Sequence, residues 1–242
     1  MGFHFQEEYL DLVLVPCGIL IMFVYHLFLL YRYLFCPPDA TSMGFENNDR
    51  SEWVHRIMKM QNRDVKNSLT VMTSNITVAT FLATISLTIC SLIGAWIANS
   101  NNNVFQSELI YGDKRQTTIS IKYICLLICF LLAFSCFVQS TRHFVHANYL
   151  ICTPDLDLPV PVSSVENAVL RGTEFWSLGL RALYFALNLL MWFFGPIPMF
   201  ASSIVIVLVL HWMDYNSKTL HPTMFKERNL KKPRSQILKG NV

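Results

Sequence analysis

Five long apolar runs constrain the fold of this chain more than any other feature of its sequence. They cover residues 10–34, 70–98, 119–138, 175–194 and 199–213. Most of them are close to the ~20 residues that an α-helix needs to cross ~30 Å of hydrocarbon, because each residue adds ~1.5 Å of rise. The sequence therefore predicts an all-α, polytopic transmembrane helical bundle with about five crossings, forming a single membrane domain over residues 1–242.

The basic residues are distributed unevenly among the connections between these runs. Two groups stand out, namely Arg32, Arg50, Arg56, Lys59, Arg63 and Lys66 in the first connection, and Lys218, Lys226, Arg228, Lys231, Lys232, Arg234 and Lys239 in the tail. Lys and Arg near the ends of membrane helices favour the cytosolic side. Both groups are cytosolic only if the number of crossings is odd. We therefore expect an extracytosolic N-terminus and a cytosolic tail over residues 214–242, with the plasma membrane as the favoured membrane.

The composition supports a membrane protein and argues against other classes. Hydrophobic residues make up 53% of the 242 residues and charged residues only 14%, and no large soluble domain fits between the runs. The net charge of +3 is too small to indicate a nucleic-acid partner, so we expect the basic residues to orient the chain and contact the lipid bilayer. Because no catalytic motif is present, we predict no catalytic residue and no enzyme activity.

The segment Gly195-Pro196-Ile197-Pro198 decides the number of crossings. As a kink it would lie within roughly forty apolar residues, far more than one crossing requires. That arrangement gives four crossings and places the basic tail outside the cell. As a tight extracytosolic turn it gives five crossings and a cytosolic tail, and glycine with two prolines is typical of turns. We favour the turn, and a partly re-entrant arrangement is its main rival.

Two further segments are predicted to shape the cytosolic side. Residues 39–50 are polar and are expected to be irregular, whereas Ser51–Ser68 has the spacing of an amphipathic helix in the headgroup plane that continues into the second crossing. In the third connection, Ser163 and Glu166 have the spacing of a capping box. The fourth helix is therefore predicted to run from about residue 164 to residue 194.

Polar side chains inside the apolar runs are the candidate functional residues. Charged groups in hydrocarbon cost ~2.5–3.5 kcal/mol each, so Arg181 is the strongest of them. One interpretation is that it reaches the cytosolic interface or pairs with an acidic group, and the other is that it binds an anion or gates a pathway. We expect Arg181 to face protein and to pair with Glu174, two turns away. The remaining candidates are Asn188 on a similar face of the same helix, Arg142 near the pair, and Asn67 and Asn75 as interhelical hydrogen-bonding groups.

Four histidines are predicted near the cytosolic ends of their helices. These are His26, His143, His146 and His211, and the i, i+3 spacing of His143 and His146 permits a metal pair. Two histidines on different helices are also able to hold a haem. No acidic residue stands beside them in the sequence to orient the rings, so we expect neither a metal nor any other cofactor.

Several of these stretches resemble one known family. Residues 179–187 (GLRALYFAL) and 192–198 (WFFGPIP) resemble the most recognisable part of the multi-pass membrane family catalogued as domain of unknown function 599, found in plants and bacteria. Residues 66–68 (KNS) resemble its Arg-Asn-Ser, with Lys66 in place of arginine, and residues 142–146 (RHFVH) resemble its Arg-aromatic-x-His stretch. The resemblance implies a helical membrane protein of plant origin, and it implies no activity. Lys66 places in doubt any role that needs a planar guanidinium there.

Two functions from different classes follow from these features. The first is an oligomeric channel or transporter for a small, anionic solute or ion, because Arg181 and Asn188 lie at membrane depth. An oligomer is expected because five crossings are few for a path within one subunit. The second is a membrane scaffold or signalling protein that binds lipid headgroups or a soluble partner through its amphipathic segment and basic tail.

Overall fold

The chain forms a bundle of long helices. The computed structural model describes residues 7–36, 41–59, 65–99, 115–153 and 160–214. Within these residues the helices are α1 (Glu7–Phe35), α2 (Ser42–Lys59), α3 (Val65–Asn99), α4 (Gln116–Cys152), α5 (Val162–Met191) and α6 (Pro196–Asp214). The predicted all-α, polytopic bundle is confirmed.

Four helices are long and apolar enough to cross a membrane. The candidate spans are Leu10–Phe35, Lys66–Ile97, Gln116–Cys152 and Pro196–Asp214, on α1, α3, α4 and α6. Large apolar side chains cover their outer surfaces; for example, Phe81 and Leu208 are each 63% exposed. Side chains of this kind are stable on the outside of a protein when lipid rather than water surrounds them. The chain is therefore an integral membrane protein whose helices contact the bilayer.

Helix α5 is not among these four candidate spans, yet it and the residue directly after it contact α1 near both of its ends. Its apolar half contains Arg181 and Asn188, which lower its mean hydropathy. At one end the Trp192 side chain contacts Asp11 near the start of α1, and nearer the other end Glu174 contacts Tyr33 near the end of α1. These contacts place α5 antiparallel to α1 and at the same depth. If α1 crosses the bilayer, α5 crosses it as well.

Helices α3, α4 and α5 pack side by side as one layer of the bundle. Two glycines of α5 allow a close approach to α4. A Cβ atom on Gly172 would lie 2.7 Å from the ring of Phe144, and one on Gly179 would lie 2.8 Å from the ring of Phe137. Both distances are shorter than van der Waals contact, so the phenylalanine rings fill the space that the missing side chains leave. This packing fixes the register of α5, and with it the depth of its polar residues.

Helix α6 turns back from α5 and pairs with α1. The turn ends at Gly195, whose φ of 138° favours a residue without a Cβ atom. Pro196 then occupies the first position of α6, where a missing amide hydrogen has no cost. The structure thus contains a turn here and no continuous kinked helix. Along the pair, Gly18 of α1 lies against Ser203 of α6.

The structure corrects one predicted boundary among the elements that we expected on the cytosolic side. We predicted residues 39–50 to be irregular, and over residues 42–50 this is wrong, since α2 begins at Ser42, where the hydroxyl of Thr41 accepts a hydrogen bond from the amide of Gly44. Residues 39–40 lie outside the described residues. Residues 60–64, across which α2 was expected to continue into α3, lie outside the described residues.

The predicted capping box of α5 is also wrong. Helix α5 begins at Val162 after Pro161, without a side-chain cap, and ends at Met191 rather than residue 194. Glu166 instead accepts a hydrogen bond from Ser51 and pairs with His55 of α2. The Glu166 carboxylate therefore connects α5 to α2 and does not cap the N-terminus of α5.

Candidate functional site

A line of polar contacts runs between α5 on one side and α1 and α6 on the other. We call it the polar seam. It consists of Glu174, Arg181 and Asn188 of α5, Trp192 directly after α5, Tyr33, Tyr25 and Asp11 of α1, and Ser202 and Asp214 of α6. The first three α5 residues follow one another at intervals of two helical turns and so lie on one face. Each of the three forms a hydrogen bond with a residue of α1 or α6. The seam therefore extends through most of the depth of the bundle.

The centre of the seam is an ion pair between Arg181 and Asp214. Arg181 Nη2 lies 3.2 Å and 3.3 Å from the two carboxylate oxygens, and the side chains are only 19% and 16% exposed. Tyr25 donates a third hydrogen bond to the same carboxylate at 2.8 Å. The predicted pairing of Arg181 with Glu174 is wrong, because Glu174 accepts a hydrogen bond from Tyr33 at 3.2 Å. Arg181 does face protein, as predicted.

Two nitrogen atoms, one in this ion pair and one on a neighbouring histidine, have no hydrogen-bond partner among the described residues. They are Arg181 Nη1 and His26 Nε2, and both are buried. The His26 ring is 4.9 Å from that of Phe185, one helical turn from Arg181 on α5. Buried polar atoms of native proteins are nearly always bonded, so two unbonded ones in one region indicate a place for water or a ligand.

Asn188 forms the next contact of the seam. Its side chain is 1% exposed, and its Oδ1 accepts a hydrogen bond of 2.5 Å from Ser202 of α6. The contact holds the two helices together above the Gly195 turn, at the depth where both are otherwise apolar.

The far end of the seam is a buried cluster that sequence reasoning missed. Trp192 Nε1 donates to Asp11 at 2.9 Å, and Lys122 of α4 donates to the Trp192 carbonyl at 3.2 Å, with its ammonium 5.1 Å from the indole ring. Asp11 is 8% exposed and Lys122 is 4% exposed. Asp11 and Lys122 each lie just inside an apolar run. That position could have marked them in the sequence, because a charged residue there either reaches the interface or pairs with another group.

Helix α2 covers the opposite end. Asn47 donates to the Tyr33 hydroxyl at 3.1 Å, and Arg50 donates to Thr173 beside Glu174. Burial lowers the pKa of the Arg50 guanidinium, and Glu46, 3.8 Å away, opposes this shift in part. The amphipathic helix is thus fastened to α5 by polar contacts as well as by its apolar face.

The remaining predicted site residues take no part in the hydrogen bonds of the seam given above, although His143 lies close to Glu174. The ring of His143 stacks on that of Phe175 at 5.5 Å, whereas His26 contacts Phe185. These two phenylalanines are ten residues, or about 15 Å, apart along α5. Arg142, His146 and Asn67 are exposed, and Asn75 is partly buried on α3. Within the described part of the chain, no three His, Cys, Asp or Glu residues are placed to hold a metal ion.

The fold and the seam define the class of this protein, a polytopic helical membrane protein with a polar contact line at membrane depth. The chain belongs to the family described as "Protein of unknown function, DUF599", whose model matches residues 13–219. The matched region contains all of the polar seam except Asp11. No curated protein and no solved structure matches the chain.

Proposed function

We propose that this protein is an oligomeric channel or transporter that moves a small anionic solute along the polar seam. The observation that carries the proposal is the buried Arg181, which pairs with Asp214 through one terminal nitrogen and leaves the other without a partner. If the ion pair served only to hold helices together, both terminal nitrogens would be expected to find acceptors. A guanidinium nitrogen without a hydrogen-bond acceptor is suited to bind an anion.

The division of the bundle supports movement along the same line. Helix α4 packs extensively on both α3 and α5, α1 packs chiefly on α6, and the seam lies where these two groups of helices meet. The seam contacts are hydrogen bonds and one ion pair, which water or a solute is able to replace. The two groups of helices are therefore able to separate along the seam when water or solute takes the place of these contacts.

The orientation of the chain is part of the proposal. We propose that the C-terminal tail and the end of the seam covered by α2 are cytosolic and that the protein lies in the plasma membrane. The basic residues of the first connection and of the tail support this. A protease-sensitive tag added after Val242 should be protected in intact cells and cleaved after permeabilisation. Cleavage in intact cells would contradict the orientation.

Anion flux through purified protein in liposomes is the test of the function. We expect chloride or nitrate flux above that of protein-free liposomes, and at least a tenfold decrease in Arg181→Gln, because a hydrogen bond to a charged group contributes ~1.5–3 kcal/mol. The matched control is Arg56→Gln, since Arg56 is 64% exposed on α2 and pairs there with Glu52. Absence of flux in the unmodified protein would contradict transport of these anions and would favour the scaffold or signalling function.

A further inference from the structure

The hydrogen-bonding state of His26 follows from its backbone contact. His26 Nδ1 lies 2.7 Å from the carbonyl oxygen of Met22. A carbonyl oxygen only accepts, so Nδ1 must carry a hydrogen. In the neutral ring Nε2 then has a lone pair and is only an acceptor, whereas in the protonated ring Nε2 is a donor. The role of the unpartnered nitrogen therefore depends on a single proton.

The charges around His26 come from three helices. On α1, Tyr25 is adjacent and Arg32 lies further along; on α5 there is Arg181; on α6 there are Asp214 and His211, the latter with its ring 6.4 Å from that of Tyr25. Arg181 and Asp214 form a pair whose charges cancel. With neutral His26, this central pair and the histidine together carry no net charge.

An anion alone does not suit this arrangement. Held at Arg181 Nη1, it would add an uncompensated negative charge to a buried site, and any approach to His26 Nε2 would bring it against a lone pair. A proton on His26 removes both obstacles. It restores electrical neutrality and gives the anion a second donor.

We propose that the region between Arg181 Nη1 and His26 Nε2 is a binding site for a small monovalent anion that is occupied together with one proton on His26. The site would then release the same anion and proton when it empties, so the protein would move both in the same direction. That movement rests on the proposed function, whereas the coupled binding does not.

Calorimetric titration of the purified full-length protein with chloride and with nitrate tests the coupling. Performed in two buffers of different ionisation enthalpy, it should show uptake of one proton per anion in the pH range in which His26 is neutral. In that range the affinity should fall about tenfold for each unit of rise in pH, as one linked proton requires. Binding without proton uptake, or no binding of either anion at any pH, would overturn the inference.

A substitution of His26 separates this coupling from general effects of pH. Gln places an amide donor but no positive charge near the position of Nε2. His26→Gln should therefore bind the anion more weakly than the unmodified protein does at low pH, without proton uptake and with little dependence on pH. His55→Gln is the matched control, because His55 lies on α2, outside the membrane-spanning helices, and pairs with Glu166 of α5. It should keep the pH dependence of the unmodified protein. If His26→Gln kept it too, the proton would not be on His26.

The two proposals fail in different ways. Anion flux that does not move protons would overturn the coupling and leave the channel or transporter function intact. Coupled binding without any flux would contradict transport and leave the binding site intact. Flux measured with and without an imposed pH gradient distinguishes these results.

Discussion

Arg181→Leu should lower the stability of the purified protein by about 3–5 kcal/mol, because it leaves the carboxylate of Asp214 buried without its cation. Tyr25 still donates one hydrogen bond to that carboxylate, but a single neutral donor does not compensate the charge. Arg181→Lys should recover only part of the loss, since an ammonium lacks the planar fork of a guanidinium. The measurement is the unfolding temperature in detergent or lipid nanodiscs.

A double substitution distinguishes the stability of the ion pair from its function. Arg181→Leu combined with Asp214→Leu removes both charges and should be considerably more stable than Arg181→Leu alone. It should remain inactive in the flux measurement, because the anion-binding nitrogen is absent. Arg56→Leu, at an exposed ion pair, should change the unfolding temperature little. An Arg181→Leu protein with unchanged stability and flux would show that Arg181 is not essential to either.

Asp11→Leu should have the second largest effect, a loss of about 2–3 kcal/mol of stability. The substitution leaves Trp192 Nε1 buried without its acceptor, and it removes a carboxylate from a cluster that also contains buried Lys122. Asp11→Asn keeps an oxygen that accepts from the indole, so it should cost less. Denaturant or thermal unfolding of the two variants measures the difference.

A second variant and a control make the Asp11 result specific. Trp192→Phe keeps an aromatic ring but removes the indole donor from the buried Asp11 carboxylate, so it should lower the stability as well. Asp49→Leu changes an exposed aspartate of α2 and should have little effect. Equal stability of Asp11→Leu and Asp49→Leu would contradict a structural role for the cluster.

The sequence predicted the helices and one face of the seam because both depend on local regularity. Apolar runs of membrane length predict crossings, and the two-turn spacing of Arg181 and Asn188 places them on one face of a helix. Glycine followed by prolines predicts a turn at Gly195 for equally local reasons.

The partners of these residues depend on the lateral arrangement of helices, which no local pattern specifies. Asp214 lies 33 residues beyond Arg181, at the end of α6 and one residue beyond the last apolar run, 199–213. Glu174 was nearer in sequence, but Tyr33 of α1 bonds to it. In the same way, histidines at one end of several helices need not be neighbours, and His143 and His26 contact different parts of α5.

Access of water to the middle of the seam tests the central claim most directly. Ser202→Cys places a thiol beside Asn188, whereas Val205→Cys places one on a 57% exposed apolar surface of α6 that faces lipid. A charged, water-soluble methanethiosulfonate reagent, followed by intact mass above the labelling of the unmodified chain, should modify Ser202→Cys and spare Val205→Cys. Chloride or nitrate should slow the modification. If both thiols are equally inert, the seam is dry and the proposed path does not exist.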